Sequence, residues 1–180
     1  SLISFIGVDK FSKVPVFGYV AKRFSAYFNP FADLAGAGHQ LANSYFAMVN
    51  GGWFGLGLGN SIEKRGYLPE AHTDFVFSIV IEEFGFVGCI IVLLLLFMLI
   101  YRSIKVAYMC NDNFGMLLAT GIATMFTFEV LVNVGMTIGI MPVTGIPLPF
   151  LSYGVSALTT NMLSIGILLN IAMQRTKYIF

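Results

Sequence analysis

The sequence predicts an all-α protein that crosses a membrane several times, in which a large extracellular loop precedes three transmembrane helices. Its composition is the first reason: 57% of the 180 residues are hydrophobic and 11% are charged, whereas a soluble domain has about 25% charged residues. Three apolar stretches long enough to span a bilayer, which takes roughly 20 residues, are the second. So few charged groups cannot cover a surface in water, and part of the solvent must therefore be lipid.

The elements follow in order along the chain. Residues 1–76 are predicted as the extracellular, interfacial loop, because the aromatic side chains spread through it favour the membrane surface. Transmembrane helices are predicted at 77–102, 114–141 and 155–173. The segments that connect or follow them are 103–113, 142–154 and 174–180. Because the chain opens with Ser1 and shows no signal-peptide pattern, we expect earlier membrane helices to precede it.

The basic residues predict the orientation of the helices. After Asp74 the chain contains four of them, Arg102, Lys105, Arg175 and Lys177. All four follow the first or the third helix, and three alternating helices place these two ends on one side. By the positive-inside rule that side is cytoplasmic. The net charge of +1 and the two cysteines give no indication of a nucleic-acid partner or of a disulfide framework.

The segment MPVTGIPLPFLSYG, at 141–154, is apolar but contains three prolines, which forbid a regular helix. Irregular backbone near membrane depth persists only where it is buried in protein or lines a wet cavity. We therefore predict a re-entrant element that walls a pocket. The alternative is an interfacial loop that simply reverses the chain.

Four acidic residues stand at or just before the longest apolar run, in LPEAHTDFVFSIVIEE at 68–83. Thr73 or Asp74 is the predicted N-cap of the first membrane helix, where the helix dipole stabilises an acid by roughly 0.3–1 kcal/mol without any further function. Alternatively, Asp74 lies between water and lipid, where partial desolvation favours proton uptake and suits a general base. A glycosidase-like pair with Glu70 is only weakly indicated, and His72 is near enough to hydrogen-bond Asp74.

Two further patterns are ambiguous. Glu129 is the one charge in the second predicted helix, with Asn133 one turn later; intramembrane acids are functional candidates by default, but Glu129 could also dock a neighbouring helix. The run GGWFGLGLGN at 51–60 lacks the Lys-Ser/Thr ending of a phosphate-binding P-loop. Its glycines are predicted instead to allow the backbone to approach a membrane surface closely.

Several segments resemble one family in the same order along the chain. They are FNPFAD (28–33), GHQ (38–40), GGWFGLGLGNSIEKRGYLPEAHTDFVFSIVIEEFGFVG (51–88), LVNVG (131–135) and PVTGIPLPFLSYG (142–154). These look like the C-terminal part of SEDS proteins, the FtsW/RodA/SpoVE family of bacterial cell-wall polymerases, and more like its division members than its elongation members. The resemblance implies the last three helices of a ten-helix fold. The chain departs from the family pattern at Val155 and Ala157, and at Glu129, where relatives commonly have Gln.

The resemblance implies a peptidoglycan glycosyltransferase that polymerises lipid II. The family's proposed catalytic Asp falls on Asp74, which would deprotonate the acceptor as it attacks the donor sugar with inversion, undecaprenyl pyrophosphate being the leaving group. Residues expected to bind substrate are Arg23, Lys64, Arg65, Glu70, His72, Ser152 and Tyr153. A divalent cation, Mg²⁺ or Mn²⁺, is expected at the pyrophosphate, and no residue is assigned as its ligand.

The expected partners are lipid II, a class B penicillin-binding protein and other divisome membrane proteins, and the expected location is the bacterial plasma membrane at the septum. Two alternatives stay open. A lipid II flippase or other transporter would need no general base, so its function would tolerate Asp74→Asn as long as substrate still bound. A non-catalytic divisome scaffold would make no polymer when purified.

Overall fold

The computed structural model describes residues 39–61 and 73–176. Within these two ranges the chain forms helices and connecting turns, and no strand. The helices are α1 (His39–Gly51), α2 (Val76–Tyr108), α3 (Asn113–Thr137) and α4 (Val155–Thr176). The last three are long and apolar enough to cross a membrane, which confirms the predicted all-α, multi-pass class.

The helices begin and end at other residues than the sequence predicts. Helix α1 lies inside 1–76, which was predicted as a loop, and α2 continues to Tyr108, inside the predicted connection 103–113. Hydropathy detects only the apolar part of a helix, whereas the backbone stays helical beyond it into charged sequence. Helix α4 likewise continues past 173 to Thr176.

Helix α3 has a specific signal at each end. At its start the Asp112 side chain accepts a hydrogen bond from the backbone N–H of Gly115 at 2.9 Å, as an N-cap does. At its end Gly139 adopts a φ of 74° and its N–H donates to Met136 O, while Ile140 N donates to the Gly135 carbonyl at 2.8 Å. This is a Schellman motif, and it ends the helix at Thr137, before the predicted end at 141.

Helix α2 is broken at Gly85, whose φ of 70° and ψ of −167° are not helical. Such a break leaves backbone groups without partners in the helix, which is costly where no water is available. The preceding glycine-rich segment supplies them. The N–H of Leu56 donates to Glu82 O at 2.9 Å, and the N–H of Gly57 donates to Glu83 O at 3.0 Å.

After the break, backbone N–H groups of α2 donate hydrogen bonds to carbonyl groups of the same glycine-rich segment. The N–H of Phe86 donates to Gly52 O at 3.0 Å, and that of Val87 donates to Trp53 O at 3.3 Å. The aromatic rings of Trp53 and Phe86 meet edge to face, with centroids 5.5 Å apart. Residues 52–57, which we name the repair loop, therefore complete the hydrogen bonding of the broken helix.

The glycines of this segment permit the contact. A Cβ added to Gly51 would overlap the carbonyl oxygen of Ile81, and one added to Gly55 would overlap that of Glu83. At Gly85 an added Cβ would overlap the repair-loop backbone. A close backbone approach of GGWFGLGLGN is therefore present, and it is made to helix α2; the predicted approach to a membrane surface stays a prediction.

Two buried apolar clusters join the three long helices. The first contains Phe77, Ile81, Cys89 and Leu96 of α2, Val130 of α3 and Leu148 of the turn before α4. The second contains Ala107 of α2, Ala119, Ile122 and Phe126 of α3, and Leu168 and Ile171 of α4. Because lipid tails are as apolar as these side chains, such contacts hold helices together mainly through close van der Waals packing.

The turn between α3 and α4 folds back between the helices. Leu148 is 1% exposed within the first cluster, and the ring of Phe150 lies 6.0 Å from that of Phe126. At 1.5 Å per residue, Phe126 is about 16 Å along α3 from its end at Thr137. The turn therefore reaches well down α3 and brings irregular backbone into the helix bundle.

Candidate active site

Asp74 lies in the turn that leads into α2, and its carboxyl group faces the turn after α3. The N-cap residue of α2 is Phe75, whose side chain makes no capping hydrogen bond, so the prediction of Thr73 or Asp74 as the N-cap residue is wrong. Asp74 is half-buried. A Cβ added to Gly145, where φ is 79°, would stand 3.2 Å from Asp74 Oδ2, which shows how closely the turn passes the carboxylate.

Asn133 of α3 holds these two segments together. Its Nδ2 donates to Asp74 O at 2.9 Å and to Ile146 O at 2.7 Å. The side chain is 0% exposed, and both of its amide hydrogens are used on the two carbonyls. The backbone of Asp74 and the turn are therefore fixed to one point of α3, which we name the Asn133 clasp.

A polar chain beside the clasp links α1, α2 and α3. The Ser44 and Ser78 hydroxyls are 2.7 Å apart, and Ser44 Oγ also donates to Thr137 O at 3.0 Å. The Thr137 hydroxyl in turn donates to Asn133 O at 2.8 Å. Because these groups are buried, the loss of one partner leaves another without a hydrogen bond, at a cost of about 1–3 kcal/mol.

Two buried acceptors on α3 lack a hydrogen bond from any described residue: Oδ1 of Asn133 and Oε2 of Glu129. These residues are four apart and so lie on the same face of the helix. A buried acceptor without a donor is unfavourable. Each therefore marks a place where a donor from another part of the protein, or from substrate, would be stabilising.

Ser152 and Tyr153 follow the re-entrant turn, but they differ in their surroundings. Ser152 is buried, and its Oγ accepts from Leu148 N at 2.7 Å while its own N–H donates to Leu148 O at 3.1 Å. These bonds close the turn and account for Ser152 without a substrate. Tyr153 is 76% exposed. Substrate binding by either residue stays a prediction.

The other predicted substrate residues, Arg23, Lys64, Arg65, Glu70 and His72, lie outside the described ranges. Within those ranges, no group of three or more His, Cys, Asp or Glu residues could hold a metal ion. The cation expected at the pyrophosphate therefore stays a prediction. The described part of the site therefore consists of Asp74, the Asn133 clasp and the re-entrant turn between α3 and α4.

Ser44, Thr137 and Ile146 complete this arrangement and were not singled out in the sequence. Thr137 lies one turn after Asn133, and that spacing along a polar face of α3 was an available signal. The roles of Ser44 and Ile146 depend on tertiary contacts: Ser44 meets Thr137 across 93 positions of the chain, and Ile146 takes part through its backbone.

Comparison with known proteins decides the family. The sequence model of the FTSW_RODA_SPOVE family, described as "Cell cycle protein", matches residues 2–177. The chain belongs to this family. The resemblance predicted from the motifs is thereby confirmed, and together with the three apolar helices family membership makes this a multi-pass membrane protein.

Two family relatives show the extent of the match. The chain is 53% identical over 159 residues to the "Probable peptidoglycan glycosyltransferase FtsW" of Lactococcus lactis subsp. lactis (strain IL1403), covering 88% of the chain and 38% of the relative. It is 46% identical over 154 residues to the "Stage V sporulation protein E" of Bacillus subtilis (strain 168), covering 86% of the chain and 42% of the relative. The chain thus spans less than half the length of either protein.

A solved structure agrees in fold. It is described as "Structural coordination of polymerization and crosslinking by a peptidoglycan synthase complex". The TM-score is 0.67 at 29% sequence identity, and the match covers 97% of this chain and 48% of that chain. The helices described here therefore have counterparts in about half of that chain.

Proposed function

We propose that the chain forms part of a peptidoglycan glycosyltransferase that polymerises lipid II into glycan strands, with Asp74 as its general base. The observation that carries the proposal is the position of Asp74: half-buried at the start of α2, with its carboxylate against Gly145 and its backbone held by Asn133. Family membership and the name of the Lactococcus lactis relative support the reaction class.

In this mechanism the Asp74 carboxylate accepts the proton of the acceptor GlcNAc 4-hydroxyl. The freed oxygen attacks the anomeric carbon of the donor MurNAc and forms the new glycosidic bond with inversion. The bond from that carbon to the undecaprenyl pyrophosphate oxygen breaks, and the electron pair leaves with the pyrophosphate. Because pyrophosphate is already a good leaving group, one base suffices and no general acid is needed.

The fixed backbone of Asp74 suits this task. A catalytic base has to stay within hydrogen-bonding distance of the proton it removes, about 2.6–3.2 Å, and a displacement of about 1 Å can cost a hundredfold in rate. The Asn133 clasp restrains Asp74 through its main-chain carbonyl. Because this hydrogen bond is made to the main chain, it fixes the backbone from which the proposed base projects.

The proposal includes a partner and a location. We infer a class B penicillin-binding protein and other divisome proteins as partners, at the septal membrane. The structure described as a peptidoglycan synthase complex supports a partner of this kind. An exposed aromatic surface formed by Trp53, Phe54 and Phe86 offers a place for an apolar helix.

The test is polymerisation of purified lipid II by the full-length protein with its penicillin-binding partner, comparing the native protein with Asp74→Asn. We expect the variant to make glycan chains at least about a hundredfold more slowly than the native protein, since a hundredfold is the lower end of a general base's contribution. Lipid II binding and complex assembly are measured in parallel and should be unchanged. Unchanged chain synthesis would remove Asp74 from the mechanism.

The same samples separate the two alternative functions. A flippase moves lipid II across vesicle membranes in both the native protein and Asp74→Asn. If the protein is only a scaffold, the native protein makes no glycan chains either. This comparison requires a partner that has no glycosyltransferase activity of its own.

A further inference from the structure

An apolar groove runs between α2 and α4, near the end of α2. Its volume is about 360 Å³. The walls are almost entirely aliphatic and are formed by Leu95, Met98, Leu99, Ile165, Leu168 and Leu169. A groove of this composition fits a hydrocarbon chain.

A second cavity extends this groove towards the end of α2. The two share Arg102, Val106, Leu169 and Ala172, and the second also includes Lys105. Its volume is about 550 Å³. The shared residues join the two cavities into one continuous groove, which is apolar in its first part and basic at its mouth near the end of α2, where Arg102 and Lys105 lie.

Arg102 and Lys105 are three residues apart and so lie on the same side of the helix. Both are exposed, and neither forms an ion pair with any side chain described in 39–61 or 73–174. Two cations at the mouth of an apolar groove lack a counter-charge from the described chain. An apolar helix packed there would leave both cations unpaired, whereas an anionic headgroup would neutralise them.

The apolar part of the groove is short enough to lie within one leaflet of a bilayer. From Arg102 to Leu95 the groove follows α2 for about 10 Å, at 1.5 Å per residue. The hydrocarbon core of one leaflet is about 15 Å thick, half of the whole. The distribution of basic residues predicts this end of α2 as cytoplasmic, which puts the groove in the inner leaflet.

We propose that this groove binds an anionic phospholipid of the inner leaflet. Its phosphate accepts hydrogen bonds from the Arg102 guanidinium and the Lys105 ammonium, and one acyl chain lies between α2 and α4. Charge-assisted bonds from Arg to phosphate are among the strong ones available to a protein. Basic pockets between transmembrane helices on the cytoplasmic side are a known form of lipid headgroup recognition.

The test is native mass spectrometry of the full-length protein with phosphatidylglycerol, and with phosphatidylethanolamine of the same acyl chains. We expect phosphatidylglycerol to bind at least tenfold more tightly. The double variant Arg102→Gln with Lys105→Gln should lose this preference. Arg102→Lys, which keeps the charge, should retain most of it.

A second pair of variants tests the acyl-chain site. Ala172 lines both parts of the groove, so Ala172→Phe should fill it and weaken binding of both lipids. The neighbouring Met173 is 63% exposed and lines neither part, so Met173→Phe is the matched control and should bind like the native protein. Melting temperatures establish that each variant is folded.

Three results would overturn the proposal: equal binding of the two lipids, an unchanged preference in the Gln double variant, or unchanged binding in Ala172→Phe. The last would mean that another segment of the protein already fills the groove. A variant that fails to fold is replaced by Arg102→Gln alone or by Ala172→Leu, which test the same two contacts with smaller changes.

Discussion

Gly145 is the residue that lets the re-entrant turn pass beside Asp74. Its φ is 79°, and an added Cβ would stand 3.2 Å from Asp74 Oδ2. If Asp74 is the base proposed above, Gly145→Ala should lower the rate of lipid II polymerisation at least about tenfold, because small displacements of a catalytic group are costly. The measurement is the turnover of the full-length protein at saturating lipid II.

The matched control for this change is Gly59→Ala. Gly59 also has a φ of 79°, but no atom lies within 4 Å of its added Cβ. Both variants therefore carry the same kind of backbone strain, about 1–3 kcal/mol, and only one crowds the carboxylate. Equal activity of the two variants would contradict a role for the contact between Gly145 and Asp74.

Single residues of the site were predictable to different degrees. Asp74 stands out in the sequence because a carboxylate beside a long apolar run is costly and therefore conspicuous. The role of Asn133 could not be predicted in detail, because its bond to Asp74 O joins residues 59 positions apart. Ser152 was grouped with the substrate residues from its motif, whereas its side chain is engaged by the backbone of Leu148.

The broken helix α2 depends on Gly85. A Cβ there would overlap the backbone of Trp53 and Gly55, and an L-residue at its φ of 70° is strained by about 1–3 kcal/mol. We expect Gly85→Ala to displace the repair loop and lower the melting temperature of the full-length protein by about 2 °C or more. Thermal unfolding in detergent measures this.

Gly121→Ala provides the comparison within a regular helix. Gly121 lies inside α3, and nothing lies within 4 Å of its added Cβ. Because glycine in a helix interior is about 0.5–1 kcal/mol less favourable than alanine, this variant should melt at the same temperature or slightly higher. If both variants melted alike, the repair loop would not stabilise α2.

The presence of the three long helices was predictable, because their apolar stretches exceed the length needed to cross a bilayer. The break in α2 was not, since one glycine in an apolar run gives no distinct signal. Helix α1 was also missed, since its sequence, HQLANSYFAMVNG, is polar enough to pass for a surface loop. It forms a helix because Leu41 and Ala42 are buried.

The predicted orientation of the protein in the membrane leads to a labelling experiment. Tyr108 at the end of α2 is 89% exposed, and Tyr153 before α4 is 76% exposed. In a full-length protein whose other cysteines are replaced, Tyr153→Cys should react with a membrane-impermeant thiol reagent in intact spheroplasts. Tyr108→Cys should react only after the membrane is opened.

The two tyrosine positions serve as controls for each other, because both are exposed and differ only in the predicted side. Reaction of Tyr108→Cys in intact cells, with Tyr153→Cys protected, would invert the orientation. The Asp74 site would then face the cytoplasm, away from where glycan strands are built. Reaction of both would indicate leaky cells and is detected with a cytoplasmic marker protein.

The general character of the molecule was more predictable than its internal contacts. Composition and hydropathy indicate a membrane protein, and sequential motifs indicate the family. The contact between the repair loop and α2 depends on backbone atoms, which are the same in every residue and leave little trace in sequence. The Asn133 clasp similarly contacts two carbonyl groups.

The repair loop has a consequence for biosynthesis. Its residues, 52–57, precede Gly85 in the chain, so the ribosome completes them before the break in α2 is made. A helix whose backbone carbonyl and amide groups lack hydrogen-bond partners is unfavourable in lipid. The repair loop, which supplies those partners to α2, has already been synthesised when the break in α2 leaves the ribosome. If the repair loop followed α2 in the chain, α2 would enter the bilayer before the hydrogen-bond partners of its break had been synthesised.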